Sequence, residues 1–245
     1  MLLDLILKES MGKESGSFEK AVYSDLGFML LGIIIEKVMN TDLNEAAKNL
    51  VFDPLCVEDI FFIPEKGHLT STFSRQKLIK NTAPTLYCPY RKRIIMGEVH
   101  DLNAWAMGGL AGHSGLFGTG KAVCKLLKKF LLIFKGRFEH PVFKRDLMRE
   151  FFIKQEMDPA STWALGFDTP SPEGSSSGDH FSPESVGHLG YTGTSFWMDP
   201  REEMIVVFLS NRTFPHDTEK SRLAIKDLRR KLHNLIMEKR NLTCC

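Results

Sequence analysis

Apolar positions crowd into one short stretch early in the chain. Leu26, Phe28, Met29, Leu30, Leu31, Ile33, Ile34 and Ile35 leave almost no polar face, which predicts an interior helix over 25–39. Gly27 and Gly32 would let a neighbouring backbone come close to that helix, at some cost in helix propensity. Helical spacing also predicts helices at 2–9, 42–50, 120–135, 141–153 and 218–239. Strand-like runs follow at Trp163–Phe167, Val186–Leu189, Thr194–Met198 and Met204–Leu209. Thr169–Ser185 is rich in Ser, Pro and Gly and reads as a mobile loop. Residues 53–118 carry little periodicity and many turn formers. They read as a long ordered excursion, of a kind that compact domains keep for function.

Composition narrows the class without naming it. With 245 residues, 43% apolar and 25% charged, the chain can bury a sizeable core. A net charge of +2 gives no reason to expect nucleic acid or an acidic membrane as partner. The run 26–35 is too short for a membrane span and is bracketed by Asp25, Glu36 and Lys37. Met1–Asp4 lacks the basic start of a targeting segment, and localisation stays open. Cys56, Cys88, Cys124, Cys244 and Cys245 form no C-x-x-C pair and read as reduced thiols. Lys121, Lys125, Lys128, Lys129 and Lys135 mark the solvated face of a surface helix. In the last helix an apolar stripe of Leu223, Leu228, Leu232, Leu235 and Ile236 opposes Arg222, Arg229, Arg230 and Lys231.

Three blocks carry candidate chemistry. Tyr23-Ser24-Asp25 heads the first helix, where Asp25 can cap free N–H groups. A glycine-rich block runs from Gly97 to Thr119, with Thr119 placed to cap the helix that follows. Gly187-His188-Leu189-Gly190-Tyr191-Thr192-Gly193-Thr194-Ser195 reads as an edge strand whose glycines admit a substrate carbonyl. His100, Asp101 and His113 fit no closed zinc pattern, so no metal is expected. Gly112-His113-Ser114-Gly115 fails as a nucleophile elbow, because Leu116 stands where a glycine is needed. Serine and lysine three residues apart share a helix face and can exchange a proton. Ser10-Met11-Gly12-Lys13 and Ser74-Arg75-Gln76-Lys77 have that spacing, at the frequency chance provides, and both read as decoys.

In this order the blocks resemble the serine β-lactamase and penicillin-binding-protein family, in its branch related to class C β-lactamases. The resemblance implies an α+β fold with an antiparallel sheet flanked by helices, plus a helical lobe. The lobe would cover about 1–160, and the carboxy-terminal strands with their packing helix about 161–240. It implies that Tyr23 and Asp25 form the second catalytic box, Tyr23 shuttling protons, and that His188 belongs to the third. Tyr191, through its N–H, and Gly190 would serve the oxyanion and substrate. Leu189 departs from the family's usual threonine. Tyr23 and His188 are expected to meet across one cleft, lined partly by 100–118.

The family's nucleophile comes from a Ser-x-x-Lys motif upstream of the tyrosine box. The chain therefore reads as an amino-terminally truncated domain that is inactive alone. The alternatives are an inert remnant acting as a binding module, or one part of a two-chain enzyme. Substrates implied are a small peptide, a β-lactam or an ester, cleaved through an acyl-enzyme without a cofactor, in cell-wall peptide turnover. Met204–Leu209 would be an exposed sheet edge inviting self-association, and apolar surface near Tyr23 would lie uncovered.

Overall fold

The apolar run beginning at Asp25 is helix α1 (Asp25–Met39) in a computed structural model that describes residues 21–65, 74–156 and 158–243. The helix expected at 2–9 and the Ser10–Lys13 motif lie outside the described residues. Ser24 is the N-cap of α1 and makes no side-chain cap bond, so Asp25 sits in the first turn rather than capping it. Asn40, left-handed at φ 50°, closes the helix. The helix is not interior. Met29 and Gly32 are buried, whereas Leu31, Ile34, Ile35 and Val38 are exposed, Val38 at 76%. Apolar surface near Tyr23 is thus uncovered among the described residues, and a pattern apolar all round does not by itself dictate burial.

The described residues form two compact units, within Met1–Ala122 plus Glu156–Ser161 and within Val123–Gln155 plus Thr162–Cys245. In the first, α1 leads to α2 (Leu43–Ala47), capped by Asp42, whose carboxylate accepts from Glu45 N–H at 2.9 Å. A π-helical turn, Lys48–Phe52, extends it to residue 52, past the expected end at 50. The excursion contains short elements that weak periodicity concealed: β1 (Ile60–Phe62), α3 (Arg75–Asn81), β2 (Tyr87–Cys88), β3 (Arg93–Ile94), α4 (Leu102–Ala106) and β4 (Leu116–Gly118). β1 pairs antiparallel with β4, and β2 with β3. Thr119 caps α5 (Gly120–Phe134) as expected, accepting from Ala122 N–H at 3.1 Å.

The second unit holds α6 (Arg145–Phe152), β5 (Val186–Leu189), β6 (Ser195–Asp199), β7 (Met204–Phe208) and α7 (Glu219–Thr243). α6 starts later than expected because His140 Nδ1 accepts from the N–H groups of Val142 and Phe143, folding that stretch into a turn. The three strands form an antiparallel sheet in the order β5-β6-β7. Among the described residues β7 has a strand partner on one side alone. Trp163–Phe167 is not a strand. Ala164 N–H bonds to Phe167 O across a turn with Gly166 at φ 77°, leaving isolated bridges from Asp168 to Trp163 and Gly187.

Two expectations fail for one reason, which is that α7 turns an unforeseen face to the sheet. Ile225, Arg229, His233 and Met237 are buried, at i, i+4 spacing. Leu223, Leu228 and Leu235 face water instead. Met237 packs with Trp197, Val206 and Phe181. The same helix pins Thr169–Ser185, so that segment is packed rather than mobile. Asn234 Nδ2 donates to Asp179 at 2.7 Å, Arg230 pairs with Asp179, and His233 Nδ1 donates to Ser176 O at 2.7 Å. Trp197 Nε1 donates to Ser176 Oγ, and Ser177 is fully buried.

Buried histidines make this fold sensitive to acid. Burial pushes His233 and His140 below the usual histidine range. The His140 ring must be neutral at Nδ1 to accept its two backbone bonds. Unfolded, each takes a proton near pH 6.5; folded, only at lower pH. The stability they lend is therefore complete above about pH 6.5 and lost as pH falls through their depressed folded values. The urea midpoint followed by tryptophan fluorescence should fall between pH 7.5 and 5, and a flat profile would contradict this.

Candidate active site

Tyr23 lies just before α1, half exposed, with its ring 6.4 Å from that of Phe28. Partial burial raises its phenol pKa, and the nearby Asp25 carboxylate, hydrogen-bonded to it, raises it further. A phenol held by a carboxylate keeps its proton. Acting as a base would require a cation to be brought against it. Below it, α1 and the glycine-rich segment approach closely at Gly32, where a Cβ would lie 3.1 Å from Gly112 N. Gly112 itself sits against Phe28 O, where its Cβ would come within 2.1 Å. Among the described residues nothing lies within 4 Å of a Cβ at Gly27. An open apolar groove of about 400 Å³ results, lined by Phe28, Leu31, Ile35, Phe52, Gly112 and Leu116 among others.

The polar residues of the glycine-rich block serve one another. Asp101 caps α4 by accepting from Ala104 N–H at 2.8 Å, and His113 Nε2 donates to the same oxygen at 3.0 Å. Those bonds engage Asp101 and His113, two of the three residues weighed as metal ligands. Ser74 caps α3, its hydroxyl accepting from Lys77 N–H at 3.4 Å. Its spacing to Lys77 is the spacing of a helix cap.

In the second unit His188 is central to β5, opposite Phe196 of β6, with the Trp163 ring 6.0 Å away. Burial pushes its imidazole below the usual range, while a Leu189 backbone bond and the Asp168 charge pull it upward. A neutral ring near pH 7 suits proton transfer and not a fixed positive charge. Burial raises Asp168 above the usual carboxylate range. Gly187 must be glycine, since a Cβ there would lie 2.5 Å from the Trp197 ring.

Gly190 begins a tight turn. Its N–H donates to Thr194 O at 2.7 Å, and its carbonyl accepts from Gly193 N–H at 3.0 Å. A Cβ at Gly190 would come within 2.1 Å of Thr194 Oγ1. The Tyr191 side chain is exposed, its hydroxyl donates to Asp217, and the Arg212 guanidinium lies 4.6 Å over its ring. Arg212 is itself paired to Asp217. Arg229 reaches the turn from α7, donating to Gly190 O and Thr194 O. Tyr23 and Asp25 thus sit together in the first unit, and His188, Gly190 and Tyr191 together in the second. Arg212, Asp217, Arg229 and Asp168 were missed. For Arg229 the available signal was its i, i+4 register with Ile225 and His233.

A sequence profile of the family described as Beta-lactamase matches residues 13–230. The chain belongs to the Beta-lactamase family. Within it, a protein of Salmonella agona (strain SL483), provisionally named D-alanyl-D-alanine carboxypeptidase, is 31% identical over 223 residues, covering 87% of this chain and 49% of its own. The N-acetylmuramyl-L-alanine amidase of Bacillus subtilis (strain 168) is 30% identical over 220 residues, covering 86% of this chain and 48% of its own. The chain spans about half the length of the curated relatives it matches. Among solved structures, the LovD9 mutant of simvastatin synthase from Aspergillus terreus superposes with TM-score 0.60 at 15% identity, over 90% of this chain and 55% of that one. A penicillin-binding protein from Bacillus halodurans gives TM-score 0.53 at 15% identity, over 85% and 56%. These superpositions support the expected β-lactamase-like α+β fold. Among the described residues no helix is long and apolar enough to cross a membrane.

Proposed function

We propose that this chain supplies the substrate edge and proton-handling residues of a serine hydrolase that cleaves amide bonds in peptidoglycan-derived peptides through an acyl-enzyme. The observation that carries the reading is β5 with its turn. There a half-buried, neutral His188 precedes the Gly190–Tyr191 peptide, whose N–H is the proposed oxyanion donor. Gly190 lets the turn close on Thr194, whose hydroxyl fills the place of a side chain. Tyr23 and Asp25 form the second box, with the Tyr23 phenol protonated and held by the Asp25 carboxylate. The names of the carboxypeptidase and amidase relatives support the substrate class.

One part of a two-chain enzyme is the second reading, favoured by a specific observation. Ser74 is occupied as a helix cap, and the Tyr23 phenol is hydrogen-bonded to the Asp25 carboxylate. Both readings need a Ser-x-x-Lys segment. The protein is therefore to be mixed with, or fused to, that segment from the Bacillus subtilis relative, and hydrolysis of muropeptides measured. Turnover is expected, and His188→Ala should lower it by about a hundredfold. No turnover in either format, or full activity of the His188→Ala protein, would overturn the proposal.

A further inference from the structure

Arg229 is 6% exposed, and its guanidinium has no carboxylate partner among the described residues. Its Nη2 donates to Gly190 O at 3.2 Å and to Thr194 O at 2.7 Å, while its Nε is buried without a partner. A buried cation solvated by two carbonyls and one unmet donor is a costly way to brace a turn. Burial and the nearby Arg212 both disfavour its charge. A neutral amide side chain would hold two carbonyls at less expense, so the charge calls for an explanation at the turn itself.

The explanation follows from the planarity of one peptide group. Gly190 C=O and Tyr191 N–H belong to the same rigid amide, and in the trans form they point in opposite directions. A donor that fixes the carbonyl on the α7 side therefore aims the N–H away from α7. A charged donor also draws electron density toward the carbonyl oxygen, which makes the N–H at the other end a stronger donor. We infer that Arg229 is a positioning residue whose guanidinium, held beneath the Gly190–Thr194 turn, both orients and polarises the Gly190–Tyr191 amide for an oxyanion. This rests on the reading of Tyr191 N–H as an oxyanion donor. Gly193 O, bound by Ser210 Oγ at 2.8 Å, and Thr192 O, bound by Arg212 N–H at 2.7 Å, hold the rest of the turn. Loss of Arg229 should therefore loosen the Gly190 end selectively.

The test uses the whole chain and two readouts. In Arg229→Met, amide exchange at Gly190 and Gly193 should rise about tenfold, and the Tyr191 amide proton should shift upfield. The β6–β7 ladder, read at Trp197 and Val206, should keep its protection. Arg229→Lys, which retains the charge, should restore most of the Tyr191 shift, whereas the neutral donor Arg229→Gln should restore the exchange but not the shift. If Arg229→Met does not fold, the Lys and Gln variants decide between charge and geometry. Unchanged exchange and shift at the turn, or equal loosening of the whole sheet, overturns the inference. With the Ser-x-x-Lys segment supplied, Arg229→Met should lower kcat about tenfold with KM held within about twofold. An altered turn with unchanged kcat overturns the catalytic part. Absence of wild-type turnover overturns the proposed function instead, and the amide readouts still decide whether Arg229 polarises the turn.

Discussion

Incubated alone with a fluorescent penicillin or a fluorophosphonate, the 245-residue chain is expected to take up no covalent label. Acylation needs a serine whose proton can pass to a neighbouring amine or phenolate. Ser74 uses its hydroxyl to accept from Lys77 N–H at the start of α3, and Lys77 is exposed to water. Ser114 follows His113, whose Nε2 is committed to Asp101. Tyr23 keeps its proton because burial and Asp25 both raise its pKa. Supplying the Ser-x-x-Lys segment should convert silence into near-stoichiometric labelling, with the adduct mapped to the added serine by mass spectrometry. An adduct on Ser74 or Ser10 in the unsupplemented chain would show that one of these motifs is a true nucleophile.

Replacing Trp197 by alanine should cost about 3–5 kcal/mol, a large share of the roughly 5–15 kcal/mol that holds a typical domain together. Trp197 is fully buried at the centre of β6, against Phe181, Val206 and Met237. It lies across from Gly187, whose missing side chain makes room for the indole. Its Nε1 also ties Ser176 to the sheet at 3.2 Å, so the cavity would free part of the 169–185 segment as well. Urea unfolding followed by far-UV circular dichroism should show the loss, and limited proteolysis should cut near Ser176 first. A loss below about 1 kcal/mol would mean that the second unit is not built around this residue. Gly187→Ala should destabilise too, even in the Trp197→Ala background, because the Phe196 carbonyl still lies 2.5 Å from the added Cβ.

The blocks around Tyr23, Gly112 and Gly187 were legible in the sequence because each depends on local chemistry. A glycine where no Cβ fits, a threonine that caps the next helix, and short apolar runs along β5 to β7 leave their mark at fixed short spacing. The helices at 25–39 and 120–134 were legible for the same reason, whereas the antiparallel sheet was expected from the family resemblance. The faces those helices present were not. The pattern of α7 pointed to its leucines, yet Leu223, Leu228 and Leu235 face water while Arg229 and His233 are buried. A charged side chain goes inside only where distant carbonyls receive it, and here they come from Gly190 and Thr194. The 169–185 segment likewise has loop composition but is held by Asn234, Arg230 and His233 from far along the chain. Which residues form helix or strand is settled within a few turns of backbone, and the sequence alone determined most of that. Which polar groups are buried, and around what, depends on partners brought together from remote positions, and only the tertiary structure decided it.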